Sequence, residues 1–131
     1  MFTRRHMFAA AMAGLSLIAS VSAYAMDAKP FDKAAFEAAR ASGKAVLVGV
    51  SAPWCSVCKV QKPILSELTS KHPFENFAFF EVDFDTRKDA LKALNVHQQS
   101  TLVVFKGQSE KGRSTGETNA AAIEALLRRA L

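Results

Sequence analysis

Cys55 and Cys58 are the only cysteines of the chain. They stand three residues apart, inside Trp54-Cys55-Ser56-Val57-Cys58-Lys59, shortly after the apolar run Val46-Leu47-Val48-Gly49-Val50. A strand that ends in a Cys-x-x-Cys turn and then enters a helix is suited to thiol–disulfide exchange. Cysteines at i and i+3 in a first helical turn project the same way, so their sulfurs can join. The first lies where the helix's opening N–H groups have no intrahelical partner. A thiolate there accepts those groups and meets the positive end of the helix dipole. The second lies one turn deeper and is expected to be the more buried. Roles follow from position: Cys55 attacks a client disulfide, and Cys58 resolves the mixed disulfide that results.

Two other uses of such a pair compete with this one. A static disulfide could staple the fold, but so short a loop constrains the unfolded chain very little. A metal could be held, but two thiolates fill only half of a tetrahedral zinc shell. His72 and His97 would have to complete it, most simply across a dimer. Asp83, Asp85 and Asp89 lack the spacing and glycine of a calcium loop and read as a solvated turn and helix start.

The elements that must position the pair are legible from periodicity and punctuation. Met26 to Pro30 is a short lead-in, and a helix runs from Asp32 to about Ser42, with Gly43 as its stop. Val46 to Ser51 is a strand buried on both faces. A helix follows from Cys55 to about Lys71, with Pro63 inside it. Asn76 to Asp83 is a second strand, Thr86 to Leu94 a short helix, and Thr101 to Lys106 a third strand. Lys106-Gly107-Gln108-Ser109 reads as a turn, Gly112 to Thr115 as a fourth strand, and Thr118 to Leu131 as a final helix capped by Thr118 or Asn119. Phe77, Phe79, Phe80 and Phe84 are core residues, some of them available for a docking patch. This order predicts an α/β fold: a small mixed four-stranded sheet with helices on both faces, its first two strands parallel.

Composition adds a destination. The chain has 131 residues and is 50% hydrophobic, which suits one globular domain. Residues 1–25 stand apart from it. Arg4 and Arg5 precede an apolar stretch from Ala9 to Val21, and Ala23-Tyr24-Ala25 offers the small residues of a cleavage site. We expect a cleavable signal peptide over 1–25 and a domain over 26–131, placed in a bacterial periplasm, where disulfides form readily. Thr3-Arg4-Arg5-His6-Met7-Phe8 also resembles a twin-arginine export signal, so the general secretory and twin-arginine routes both stay open. The formal net charge is +5, with both signs interleaved beyond the leader. That reads as a solvated surface and argues against nucleic acid as a partner.

From Phe31 to the C-terminus the chain resembles the thioredoxin family. The features that agree are Trp54 before the first cysteine, Lys59 after the second, Pro63, the Val82-Asp83 strand end, Thr101-Leu102-Val103-Val104-Phe105 and Gly116 before the last helix. The resemblance implies a thioredoxin fold, without the extra N-terminal strand of thioredoxin itself. It implies protein disulfide or dithiol clients, no bound cofactor beyond the redox-active Cys55–Cys58 disulfide, and a monomer. Trp54 would shield one side of the sulfur pair, and the Gln99 backbone would pair with a client strand. The lack of an inserted helical domain, such as the family's dedicated periplasmic oxidases carry, favours reduction. A membrane thiol-transfer protein would then supply electrons. A non-enzymatic client- or metal-binding module is the alternative.

Three departures from the family pattern stand out. Ser56-Val57 replaces the Gly-Pro of thioredoxin between the cysteines. The family's buried acid falls on Gly49, while Glu81 falls where the family has a lysine, so a carboxylate at Glu81 could take over proton transfer with Cys58. Ser100 replaces the family's cis-proline. A cis bond before a non-proline residue costs about 2.5–4 kcal/mol, so a trans Gln99–Ser100 bond is expected. The Ser100 hydroxyl would then be free to hydrogen-bond a thiolate.

Overall fold

The structure, a computed structural model, describes residues 28–131; the expected leader over 1–25 lies outside the described residues. In chain order the elements are β1 (Lys29–Pro30), α1 (Lys33–Ala41), β2 (Ala45–Ser51), α2 (Ser56–Thr69), β3 (Ala78–Asp83), α3 (Lys88–Leu94), β4 (Thr101–Lys106), β5 (Ser109–Thr115) and α4 (Ala120–Arg128). They build a mixed α/β fold around one sheet of order β1-β3-β2-β4-β5. β1, β3 and β2 run parallel; β4 and β5 are antiparallel to their neighbours.

The sheet therefore has five strands, not the four expected. The missed one is β1, whose Lys29 and Pro30 pair with Phe80 and Glu81 of β3. Two residues carry no alternation to read, and proline lacks the N–H that ladder pairing uses. Such a residue is tolerated at a sheet edge, which is where Pro30 lies. Phe31 N–H extends the pairing to the Glu81 carbonyl at 2.8 Å. β5 also begins at Ser109, three residues before the expected Gly112. Gly107, at φ +55°, opens the two-residue hairpin loop, a position that demands positive φ.

Side-chain alternation along β2 divides the core in two. Val46, Val48 and Val50 face α1 and α3, where Phe36, Phe80, Val82, Leu91 and Phe105 join them. Leu47 faces the other way, toward Leu65, Leu68, Phe77, Ile123 and Leu127 of the α2 and α4 side. Gly49 shares this second face, and its missing side chain is replaced by the Phe79 ring, 3.5 Å from where a Cβ would stand. By the same alternation on β3, Phe79 and Glu81 turn toward α2 while Phe80 and Val82 turn away. Of the phenylalanines expected in the core, Phe77 and Phe80 are buried. Phe79 and Phe84 are half-buried against the two clusters, so none of the four forms an exposed patch.

Helix ends follow their caps. Asp32 accepts the Ala35 N–H at 2.9 Å to start α1, and Asn119 accepts the Ala122 N–H at 3.0 Å to start α4. Gly43, at φ +77°, stops α1. No helix among the described residues is long and apolar enough to cross a membrane.

Candidate functional site: a cysteine pair at a helix start

β2 ends at Ser51 and α2 begins at Ser56, and the turn between them delivers Cys55 to the N-cap of α2. Cys55 Sγ accepts the Cys58 N–H at 3.1 Å. This is the sulfur-to-backbone contact expected of a residue at a helix start. Cys55 and Cys58 are joined in a disulfide, with Cα atoms 5.3 Å apart. Ala52, Val57 and Phe84 pack against the pair. The expected difference in depth is absent: Cys55 is 3% exposed and Cys58 2%. The reason is the bond itself, which draws the first sulfur onto the second beneath the same apolar neighbours.

Trp54, the residue before Cys55, is 58% exposed. Its indole N–H donates to both carboxylate oxygens of Asp85, at 3.0 and 3.3 Å, and its ring meets Phe84 edge-on at 6.3 Å. Phe84 in turn packs on the cysteines. The loop that carries Asp85 is ordered by Asp83, whose carboxylate accepts the Asp85 and Thr86 N–H groups at 2.8 and 3.0 Å. The Thr86 N–H holds the Asp83 carboxyl below its ordinary pKa, with the Asp85 N–H adding to the effect against partial desolvation. Asp83 and Asp85 thus hold the tryptophan in place, and Asp89 pairs with Arg87.

Glu81 lies on the α2 side of the sheet, opposite Gly49 in the parallel register. Its carboxylate accepts the Ser51 hydroxyl and pairs with Lys62 Nζ at 3.2 Å. A small cleft of about 20 Å³ is lined by Ser51, Cys58, Gln61, Lys62 and Glu81 among others. Room for about one water needs roughly that volume, so the cleft links the inner cysteine to the carboxylate.

Ser100 takes the place opened by the missing proline. The Gln99–Ser100 bond is trans, and Ser100 adopts φ +57°, a left-handed torsion uncommon for serine. Its N–H donates to the Val50 carbonyl at 2.7 Å. Cys58 Sγ lies 3.8 Å from that same oxygen, so Ser100 sits directly across from the inner sulfur. With the cysteines joined in a disulfide, its hydroxyl is engaged within the turn. It donates to the neighbouring Gln99 carbonyl at 2.6 Å, because the left-handed turn brings that oxygen within reach.

Gln61 was not anticipated. It is 3% exposed, and its side-chain amide donates to the Ser100 carbonyl at 3.2 Å and the Glu117 carbonyl at 2.9 Å. The signal was present in the spacing, since Cys58, Gln61, Leu65 and Leu68 form the inward stripe of α2. Ser51 and Lys62, which complete the Glu81 cluster, were also missed. His72 and His97 meet Glu75 and Asn95. Among the described residues, no three His, Cys, Asp or Glu side chains gather as a metal site.

A dithiol pair at a helix start, on a mixed sheet flanked by helices, defines a thiol–disulfide oxidoreductase. Comparison with known proteins gives the family: residues 27–129 match the thioredoxin family model, and the chain belongs to that family. It is 38% identical to human thioredoxin over 96 residues, 72% of this chain and 86% of that one. It is 37% identical to an H-type thioredoxin of Fagopyrum esculentum over 81 residues, 62% of this chain and 68% of that one. The crystal structure of Trxlp from Edwardsiella tarda superposes with a TM-score of 0.75 at 42% identity, covering 77% of this chain and 98% of that one.

Proposed function

We propose that the protein is a periplasmic reductase of protein disulfides, exported by a leader over residues 1–25 and working as a monomer. The observation that carries the chemistry is Cys55 at the N-cap of α2 with Cys58 as its disulfide mate. In the reduced protein, the Cys55 thiolate attacks one sulfur of a client disulfide. A bond forms between Cys55 and that sulfur, the client S–S bond breaks, and the second client sulfur leaves as a thiolate. Cys58 then gives up its proton and attacks Cys55 Sγ. The Cys55–Cys58 bond forms, the client leaves as a dithiol, and two electrons have passed from protein to client. A membrane thiol-transfer protein is the proposed donor that restores the dithiol. No bound cofactor is required by these steps. The location rests on the leader's composition: Arg4 and Arg5, the apolar stretch and Ala23-Tyr24-Ala25.

The test is reduction of insulin by the wild type and by Cys55→Ser. Activity is expected to vanish with Cys55. A protein that merely held clients would keep its binding after the substitution, and insulin reduction that survived it would overturn the reading.

Glu81 is assigned as acceptor of the Cys58 proton, through Ser51 or one water in the intervening cleft. Lys62 Nζ pairs with the same carboxylate at 3.2 Å. Glu81→Gln is expected to slow decay of the mixed disulfide by about a hundredfold near neutral pH, the usual scale of one general base. Rapid mixing across pH reads this directly, and an unchanged profile removes Glu81 from the step.

A further inference from the structure

We propose that Gln61 is a positioning residue for client binding: it tethers the Ser100 turn to the cysteine helix and so sets where a client strand docks. The inference rests on the reading of that turn as the client-facing surface.

A primary amide buried on the inward stripe of a helix is costly unless its hydrogens find partners. Gln61 meets that demand with two carbonyls from distant parts of the chain, Ser100 before β4 and Glu117 before α4. The Ser100 carbonyl also accepts the Gly116 N–H at 3.1 Å, while the Ser100 N–H is held by Val50 at the end of β2. The Ser100 residue is thus fastened on both sides to the two elements that carry the sulfur pair, β2 and α2. Its φ of +57° is uncommon for serine and carries a torsional cost, which this fastening offsets. An apolar side chain at position 61 would leave the Ser100 carbonyl with only Gly116 and the Glu117 carbonyl without this donor. The turn would then drift relative to Cys55, and with it the Gln99 backbone. Gln61 shares the inward stripe of α2 with Cys58, but its amide hydrogens are spent on the Ser100 and Glu117 carbonyls and not on a sulfur. Its loss should therefore fall on recognition of extended polypeptide and spare exchange with small disulfides.

The experiment compares insulin with 2-hydroxyethyl disulfide as substrates, using dithiothreitol as electron source. Gln61→Met keeps the volume and removes both donors. Its KM for insulin is expected to rise about fivefold, the factor associated with the lost bond to the Ser100 carbonyl, while the rate on 2-hydroxyethyl disulfide stays within about twofold of the wild type. Gln61→Asn keeps the amide but falls one methylene short, so the same split is expected; it decides the matter should the methionine variant not fold. Val46→Ala, buried at the end of β2 away from the cysteines, where it pairs with Ala78 and Phe105, controls for general loosening and should move neither KM. An unchanged KM for insulin, or a parallel fall with both substrates, overturns the inference. A wild type that reduces neither substrate defeats the parent reading and this one together. A wild type that reduces both, with Gln61→Met and Gln61→Asn indistinguishable from it, defeats this one alone.

Discussion

Cys58→Ser is expected to convert the protein from a catalyst into a trap. Cys55 keeps its place at the start of α2, where its sulfur accepts the backbone N–H of residue 58, so capture of a client disulfide survives. What is lost is the internal nucleophile. In the native pair the second sulfur is already at bonding distance, with Cα atoms 5.3 Å apart. Against about 1 mM external thiol, an effective concentration of even about 1 M at Cys58 resolves the intermediate about a thousandfold faster, and well-oriented intramolecular reactions reach far higher values. Turnover of insulin should fall by about that factor or more. A covalent adduct should accumulate at Cys55 and dissolve on adding dithiothreitol. Mass spectrometry under denaturing, non-reducing conditions reads the adduct. Its absence, or turnover within about tenfold of the wild type, would mean that Cys58 is not the resolving thiol.

The part of the site that could be seen in the sequence is the part whose chemistry is local. The apolar run before Cys55 and the helix after it fix the first sulfur at a helix start with no help from distant residues. The strand alternation around Phe80 and Val82 places Glu81 on the α2 face. Beyond that, information had to come from register. Ser51 reaches the Glu81 carboxylate only because β2 and β3 run parallel with Gly49 opposite Glu81, and no local pattern specifies that pairing. Trp54 illustrates the same limit. Its place before Cys55 is plain in the sequence, but its indole N–H finds Asp85, 31 residues on, and that contact orients the exposed ring. Gln61 lay on a readable stripe, yet its partners are 39 and 56 residues away. β1 escaped because two residues, one of them proline, carry no periodicity. Cys58 was expected to lie deeper than Cys55 from helix geometry alone, which ignores how a formed disulfide gathers both sulfurs under Ala52, Val57 and Phe84.

Ser100→Pro, which restores the residue the family places in this turn, is expected to destabilise this protein. Proline fixes φ near −65°, whereas Ser100 stands at +57°. Proline also has no N–H, so the 2.7 Å bond to the Val50 carbonyl disappears. That carbonyl lies beside Cys58 Sγ in the buried site, and leaving such an acceptor unpartnered costs about 1–3 kcal/mol. Abandoning the left-handed turn also pulls the Ser100 carbonyl from Gln61 and Gly116. A total loss of about 2–4 kcal/mol is expected. Ser100→Gly is the informative companion. Glycine accepts the left-handed torsion freely and keeps the N–H, at the expense of the hydroxyl bond to Gln99. Relief of about 1 kcal/mol of torsional strain should roughly offset that loss and hold stability within about 0.5 kcal/mol of the wild type. Urea unfolding of the oxidised proteins measures all three. A proline variant as stable as the glycine variant would show that the turn readily adopts the family's geometry. The left-handed serine, its Val50 bond and its Gln61 tether would then be incidental to how the site is held.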